Sequence, residues 1–205
     1  MKRLLIATLS LVAVVTAQDL KTADREKAIR YLNETRKGVE DSVKGLSDAQ
    51  WKYKPAANRW SIAEILEHLA VIEDVVKGVL VKLPEGPAPA AERETAKFDA
   101  DLVAKITDRS EKFEAPPQAR PAARWTPSGA LEHFLASRAQ GVEWIGRATG
   151  VRAHTVLHPV FGPLDGYQWI MAVAAHSARH TQQILEVKAD PGFPAARPTV
   201  EPALH

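Results

Sequence analysis

Apolar residues recur at intervals of three and four along most of the chain, and this spacing constrains the fold more than any other feature. It predicts four long amphipathic helices, and no segment shows a convincing alternation of period two. The helices are expected at about residues 19–46, 61–83, 128–149 and 165–188, with a short further helix at about 97–108. The sequence therefore predicts an all-α protein, a four-helix bundle with long irregular connections.

Capping residues and prolines mark where the predicted helices begin and end. Ser61 and Glu64 form the S-x-x-E pattern of a capping box directly before an apolar run. Asp165 is the expected N-cap of the fourth long helix. Four prolines follow that helix, so residues 189–205 are expected to be a disordered tail.

The N-terminal residues have the pattern of a secretory signal peptide, expected over residues 1–17. Lys2 and Arg3 precede an apolar run, and small residues then lead to an expected cleavage site after Ala17. The run is shorter than the about 20 residues that a membrane-spanning helix needs. An uncleaved anchor or a first bundle helix is the alternative. The pattern favours export to the periplasm or the exterior, with no stable membrane span after cleavage.

Composition limits the classes of function. The chain has 205 residues, enough for one domain with a sizeable core, expected over residues 18–188. Its 27 basic and 25 acidic residues are interleaved and give a net charge of +2, which argues against nucleic acid as a partner. Because the chain contains no Cys, a thiolate is excluded as nucleophile or metal ligand. Any site must be built from His, Asp, Glu or hydroxyl groups.

Two histidines lie within the apolar stripe of the fourth long helix. At spacings of three and four, the stripe contains Trp169, Val173, His176, His180, Ile184 and Val187. Because residues four apart share a helix face, the imidazoles of His176 and His180 can reach a common point. Burying an imidazole costs free energy unless its ring nitrogens find partners, so the pair needs an explanation.

A third histidine has the same setting on the second long helix. His68 belongs to a stripe with Ile65, Ile72, Val75 and Val79. If both stripes face one core, three imidazoles converge there. Three neutral imidazoles with an open coordination position suit Zn²⁺ or Ni²⁺, and the open position would hold water or a substrate. The alternative is that backbone carbonyls or carboxylates satisfy each ring, and spacing alone does not decide between the two.

Other candidate residues carry weaker signals. Glu64 lies four residues before His68 and could support its imidazole, although the capping box already accounts for this carboxylate. Arg179 is expected to face solvent or to pair with an acid. His133 could line the same cavity, but a surface histidine or one satisfied by local partners is the simpler interpretation.

Aromatic residues in the connections are interpreted as anchors. Trp51 and Trp60 are expected to pack as large loop anchors, and either could form the wall of a pocket. The segment H-P-V-F-G, which begins at His158, is interpreted as a turn that docks Phe161 into the bundle.

Two motifs resemble those of the DinB-like superfamily of small helical metalloproteins. The first, W-S-x-x-E-x-x-x-H, covers residues 60–68, and the second, H-x-x-x-H followed by Q-I, covers residues 176–184. The resemblance implies a four-helix bundle with up-down-down-up order. It also implies a divalent-metal site whose ligands map onto His68, His176 and His180.

The resemblance also implies chemistry. Members with known activity use the metal to activate a low-molecular-weight thiol, which they transfer to an electrophile or use in isomerisation; others have a metal site without an assigned reaction. We therefore expect an exported protein that holds a divalent metal through three histidines. It either promotes attack of water or a thiol on a small electrophile, or binds a metal or small ligand without turnover. The sequence does not indicate the small molecule, and a homodimer through an exposed bundle face is compatible with it.

Overall fold

Four long helices form a bundle in the computed structural model, which describes residues 19–90 and 94–195. In chain order the elements are α1 (Thr22–Val43), α2 (Asp48–Lys52), α3 (Ile62–Lys82), α4 (Thr95–Thr107), α5 (Pro127–Arg147), β1 (Thr155–His158), β2 (Gly162–Asp165) and α6 (Gly166–Lys188). The predicted four-helix bundle is confirmed, and each long helix lies close to its predicted position. The predicted signal peptide, residues 1–17, lies outside the described residues.

Helix α6 lies at the centre of the packing. Helices α1, α3 and α4 pack along α6, while α5 packs against α1 and α3. Every residue over 166–175 is buried. An ionisable side chain on the inner faces of these helices must therefore find its partners within the fold. None of the described helices is long and apolar enough to cross a membrane.

Capping boxes fix the first turns of α3 and α6, the two helices that carry the candidate histidines. The Ser61 hydroxyl accepts from the backbone N–H of Glu64 at 3.2 Å, and the Glu64 carboxylate accepts from the N–H of Ser61 at 2.8 Å. Asp165 and Gln168 make the equivalent pair of hydrogen bonds at 2.9 and 3.0 Å. Both expected N-caps are confirmed.

The connection between α5 and α6 contains a β-hairpin, where no strand was expected. β1 and β2 are antiparallel, with Thr155 opposite Asp165 and His158 opposite Gly162. Each strand has four residues, and β2 contains Pro163, which has no N–H to donate to the ladder. Alternation over so short a segment is not distinguishable from a turn. Helix α2 was expected as loop for the same reason, because its five residues are too few for helical periodicity.

The buried stripe of α3 differs from the predicted one in its second half. Ile65 and His68 are buried as expected, but Val75 is 37% exposed. The buried face continues instead through Val76 and Leu80, each one residue beyond the predicted Val75 and Val79. The predicted steps of four, three and four from His68 average close to the helix period of 3.6, so the period alone does not show that the buried face passes through Val76 and not Val75.

The tail begins as ordered structure, contrary to the expectation of disorder from residue 189. The ring of Phe193 packs edge-on against Tyr53, with ring centroids 5.6 Å apart. Gln50 donates to the carbonyl of Pro194 at 2.9 Å, and the Tyr53 hydroxyl donates to Asp190. An aromatic ring among the prolines supplies the contacts that hold this segment against α2. Residues 196–205 lie outside the described part of the chain.

A buried arginine joins all four long helices. Arg138 on α5 is fully buried, and its Nε and Nη2 donate to Oε1 of Glu73 on α3. Its Nη1 donates to the carbonyl of Leu32 at 3.1 Å and to the Thr35 hydroxyl at 2.8 Å, both on α1. Its Nη2 also donates to the Ser177 hydroxyl on α6 at 2.6 Å. Burial raises the pKa of the Glu73 carboxyl, and the Arg138 charge opposes that shift.

Replacing Arg138 by methionine should lower the free energy of unfolding by about 3–5 kcal/mol, because the change leaves a buried carboxylate without its counter-charge. Urea unfolding followed by circular dichroism measures the loss. Arg147→Met is the control, since Arg147 lies on the same helix but pairs with Glu143 at the surface. The control should unfold at nearly the parent's urea concentration. Equal losses in the two variants would contradict a special role for Arg138.

His158 has an environment that disfavours the protonated ring. Its Nδ1 accepts hydrogen bonds from the backbone N–H groups of Val160 and Phe161, at 3.1 and 3.2 Å. The ring packs against Phe161 and Trp169, with centroids 4.7 and 5.0 Å away. Burial lowers the pKa of His158 to about 4. The ring is thus neutral at pH 7 and carries its proton on Nε2.

The lowered pKa predicts a pH dependence of stability. Between a pH of about 6.5, where an unfolded histidine titrates, and about 4, the unfolded chain binds a proton at His158 that the folded chain does not. The contribution of His158 to stability is therefore complete above this window and falls as the pH falls through it. NMR titration of the His158 ring should show a midpoint near pH 4 in the folded protein. A midpoint unchanged from that in urea would contradict the prediction.

Candidate metal centre

Three imidazoles converge between α3 and α6, as the two stripes predicted. Nε2 of His176 lies 3.2 Å from Nε2 of His68 and 3.1 Å from Nε2 of His180. One ring nitrogen from each residue lies within 4.8 Å of the other two. The four-residue spacing on α6 supplies two of the rings, and the packing of α3 on α6 brings the third.

Hydrogen bonds on the far side of two rings determine which ring nitrogen carries the proton and which presents a lone pair to the centre. Nδ1 of His68 lies 2.7 Å from the carbonyl oxygen of Ala119, and Nδ1 of His180 lies 2.8 Å from the side-chain oxygen of Gln183. Because those oxygens only accept, both Nδ1 atoms carry the proton. Nε2 of His68 and of His180 therefore points a lone pair at the shared centre.

The third ring, that of His176, cannot donate a hydrogen bond to both of the other Nε2 atoms. Nδ1 of His176 is the one buried side-chain polar atom among the described residues without a hydrogen-bond partner. A neutral His176 ring can donate a single hydrogen from Nε2, which would satisfy one neighbouring lone pair and leave the other unpaired. With its proton on Nδ1 instead, His176 directs a third lone pair at the centre, and three converging lone pairs form a donor set for a cation.

Two of the separations among the three nitrogens fit a transition metal. Four ligands around Zn²⁺ at about 2.0–2.1 Å place neighbouring ligand atoms about 3.3 Å apart, if the site is tetrahedral. The two Nε2 separations to His176, 3.1 and 3.2 Å, are close to that value. All three nitrogens lie within 4.8 Å of one another, so the cluster suits a divalent metal.

Burial keeps these imidazoles in the neutral form that binds metals. It lowers the pKa of His68, and the hydrogen bond to Ala119 opposes part of that shift. The pKa values of His176 and His180 lie well below the ordinary value, because burial is reinforced by neighbouring imidazoles. All three rings are ready to act as ligands at neutral pH.

An indole covers the histidine cluster. The Trp60 ring lies 5.0 Å from the ring of His68, centroid to centroid, and 6.4 Å from His180, to which it is nearly parallel. Trp60 directly precedes the N-cap of α3, so the capping box also holds the indole in place. Of the two tryptophans considered as pocket walls, Trp60 is the one that contacts the histidines.

Glu67 anchors the segment before α5, a function that the sequence analysis missed. Its carboxylate accepts from the backbone N–H groups of Ala122, Ala123 and Arg124, at 2.8, 3.0 and 3.2 Å. The Arg124 guanidinium adds an ion pair at 2.8 Å. Burial raises the pKa of the Glu67 carboxyl, but these hydrogen bonds outweigh it and the net pKa is lowered.

The anchored segment is the one that orients His68. Ala119, whose carbonyl accepts from the His68 ring, lies three residues before Ala122 in the same loop. Adjacent residues of α3, Glu67 and His68, therefore bind one loop at two points. Sequence spacing does not reveal this arrangement, because the loop lies more than fifty residues away. The signal available was an acidic residue at a buried helical position, next to a candidate ligand.

Gln183 is the partner of His180, and it was also missed. It lies three residues after His180 on α6, a spacing at which side chains on a helix meet. Gln183 is the Q of the Q-I pair in the second motif, so the sequence already placed it at this spacing from His180.

Arg179 does not face solvent or pair with an acid, so both expectations for it are wrong. Its guanidinium donates to the carbonyl oxygen of Ile106 at 3.1 Å and to those of Asp108 and Glu111. It also lies over the ring of Phe113, 5.3 Å from the centroid. Arg179 thus fastens the segment after α4 to α6, beside the histidine pair.

Glu64 is held at the start of α3. One carboxylate oxygen accepts from the backbone of Ser61 and the other from Lys54 at 2.9 Å. The partner of the His68 ring is Ala119 instead, so the structure does not place Glu64 as the support of this ligand.

His133 lies apart from the cluster, as the simpler interpretation predicted. It pairs with Asp74 at 2.8 Å and stacks on Trp125, with ring centroids 4.7 Å apart.

Solved structures of low sequence identity share this fold. YfiT from Bacillus subtilis, described as a probable metal-dependent hydrolase with an unusual four-helix bundle topology, aligns with a TM-score of 0.56 at 17% identity. The alignment covers 85% of this chain and 91% of YfiT. TT2238, described as a four-helix bundle protein, aligns with a TM-score of 0.50 at 18% identity, over 79% of this chain and 98% of TT2238.

Sequence comparison identifies the family. The uncharacterized protein YuaE from Bacillus subtilis (strain 168) is 34% identical over 158 residues, which cover 76% of this chain and 94% of YuaE. The sequence pattern of the DinB superfamily matches residues 31–184, a span that includes all three converging histidines. The chain belongs to the DinB superfamily.

Proposed function

We propose that this protein binds one divalent metal ion, Zn²⁺ or Ni²⁺, through Nε2 of His68, His176 and His180. We further propose that it uses the metal to promote attack of water on a small electrophile, as a metal-dependent hydrolase. The observation that carries the proposal is the convergence of three Nε2 atoms, two of them fixed as lone-pair donors. The description of YfiT as a probable metal-dependent hydrolase supports the choice of reaction.

Water is favoured over a thiol as the nucleophile. Export, expected from residues 1–17, would separate the site from low-molecular-weight thiols, which are mainly cytosolic. Transfer of a thiol to an electrophile remains the reaction to test beside hydrolysis.

The chain's own residues prepare the site. A divalent metal held by three neutral imidazoles supplies Lewis-acid activation of water and polarisation of a substrate carbonyl or phosphoryl group. Ala119 and Gln183 hold His68 and His180 in the tautomer that presents Nε2. The Trp60 indole excludes water from one side of the cluster.

A second candidate function is binding of a metal or small ligand without turnover. Near the ligands, the carboxylates of Glu64, Glu67 and Glu186 are each engaged in an ion pair or a set of backbone hydrogen bonds. None of them is among the groups gathered with the histidines. A site without a free general base depends on the metal alone for chemistry.

Removing a ligand should remove the metal. The protein starting at Gln18, purified without a polyhistidine tag, should contain about one metal ion per chain by elemental mass spectrometry. His68→Ala and His176→Ala should each lose it, because two imidazoles hold a divalent ion far less tightly than three. His133→Ala is the matched control and should retain the metal. Absence of metal after incubation with Zn²⁺ and Ni²⁺ would overturn the proposal.

The same variants decide between the two candidate functions. Metal-loaded protein is screened against small esters, amides and phosphoesters, and against electrophiles in the presence of a thiol. Turnover that His176→Ala abolishes and His133→Ala preserves would support the enzyme. Metal binding without turnover of any of these substrates would contradict the hydrolase and leave the binding protein.

Glu67 should affect metal affinity, and Glu64 should not. Glu67→Ala releases the loop that orients His68, so we expect metal affinity to fall by about tenfold in a chelator competition assay. Glu64→Ala removes the capping box, which costs about 1 kcal/mol of stability, and should leave metal affinity unchanged. If the Glu64 variant lost affinity and the Glu67 variant kept it, the assignment of the supporting carboxylate would be reversed.

A further inference from the structure

A cavity of about 200 Å³ lies between α3 and α5, and none of the three histidines lines it. Apolar side chains from all four long helices form most of its wall: Leu32, Val76, Leu80, Trp144, Ile170 and Val173. Because Leu32 belongs to α1 and Ile170 to α6, the cavity reaches from the groove between α3 and α5 to the side chains beneath it. An apolar cavity of about 150 Å³ in another protein is large enough to bind benzene.

One buried carboxylate forms part of this wall. Glu73 lines the cavity, and its side chain is 5% exposed. Both hydrogen bonds that it accepts from Arg138 go to Oε1, so Oε2 remains free to accept another. A ligand hydroxyl in the cavity can donate to this oxygen, and a hydrogen bond is stronger among apolar side chains than in water.

The charges around the cavity favour an uncharged ligand as the hydrogen-bond donor. Arg138 neutralises Glu73, and Lys77 on the cavity wall adds a positive charge. A cationic ligand would meet that positive charge, and an anionic ligand would lie against the Glu73 carboxylate. An uncharged hydroxyl group satisfies Oε2 without either conflict.

We propose that this cavity binds an uncharged alcohol or phenol of about the size of a single substituted benzene ring. The hydroxyl donates to Oε2 of Glu73, and the apolar body packs against the Trp144 indole and the aliphatic side chains around it. The site is separate from the histidine cluster and does not depend on a metal.

Two ligands of matched shape test the hydrogen bond. In p-xylene a methyl group replaces the hydroxyl of p-cresol, so both fit the same space. We expect p-cresol to bind about tenfold more tightly, measured by ligand-observed NMR with metal-free protein, because p-xylene has no donor for the Glu73 carboxylate. Equal affinities would overturn the assignment of Glu73 as the acceptor.

Two glycines on α5 test the location. A Cβ at Gly141, which lines the cavity, would meet no heavy atom within 4 Å, so Gly141→Leu can fill the cavity without a backbone clash. Gly146 is equally open, lies on the same helix and is not part of the cavity wall, so Gly146→Leu is the matched control. We expect Gly141→Leu to weaken p-cresol binding by at least about tenfold and the control to leave it unchanged.

The NMR experiment has a second readout that needs no variant. Nuclear Overhauser contacts should connect p-cresol to methyl groups of Leu32 and Val173 in the parent protein. Contacts to residues elsewhere, unchanged binding in Gly141→Leu, or no binding of p-cresol would each overturn the proposal. Loading the protein with metal should not change the affinity, so failure here is distinguishable from failure of the metal-site proposal.

Discussion

The buried guanidinium of Arg138 determines where the four long helices lie relative to one another. Its N–H groups donate from α5 to acceptors on α1, α3 and α6. Each of these hydrogen bonds joins two particular atoms, whereas an apolar contact joins two surfaces. The acceptors on α6, the Val173 carbonyl and the Ser177 hydroxyl, lie on either side of His176 in the chain. The acceptor on α3, Glu73, lies five residues after His68. Apolar packing alone tolerates small shifts of one helix along another, whereas this set of directional bonds does not. The register that brings the histidines together therefore depends on a residue that touches none of them.

Connections between the helices complete the site that the helices begin. The loop before α5 supplies the carbonyl that fixes the His68 ring, and Glu67 holds that loop by its backbone N–H groups. Arg179 binds carbonyl oxygens at the end of α4 and in the segment after it. In both places a charged side chain on a rigid helix binds the backbone of an irregular segment. The long connections are thus as well positioned around the histidines as the helices are, which is what an arrangement with fixed tautomers requires.

The parts that the sequence predicted are those governed by local spacing. Helix period located the four long helices, capping patterns located Ser61 and Asp165, and the same period placed three histidines on inward stripes. What it missed depends on contacts between distant segments. Arg138 looks like an ordinary helical arginine until four helices surround it, and Glu67 gains its function from a loop far along the chain. The hairpin was not predicted because four-residue strands are shorter than the window in which alternation can be recognised. Exposure of Val75 shows that the helix period alone does not decide which residues in the second half of a helix are buried.

Contacts between the first residues of the tail and the bundle extend the packed part of the chain beyond α6. Phe193 belongs to the apolar cluster that also contains Trp60, the indole that covers the histidines. Helix periodicity places the boundary of the bundle at Lys188, yet a chain shortened to that residue would lose the Phe193 ring and the bond from Gln50 to the Pro194 carbonyl. Each long helix would remain complete, while the cover of the histidines would lose part of its own support. The minimal folding unit defined by the helices is therefore smaller than the minimal unit that keeps the histidine cluster enclosed.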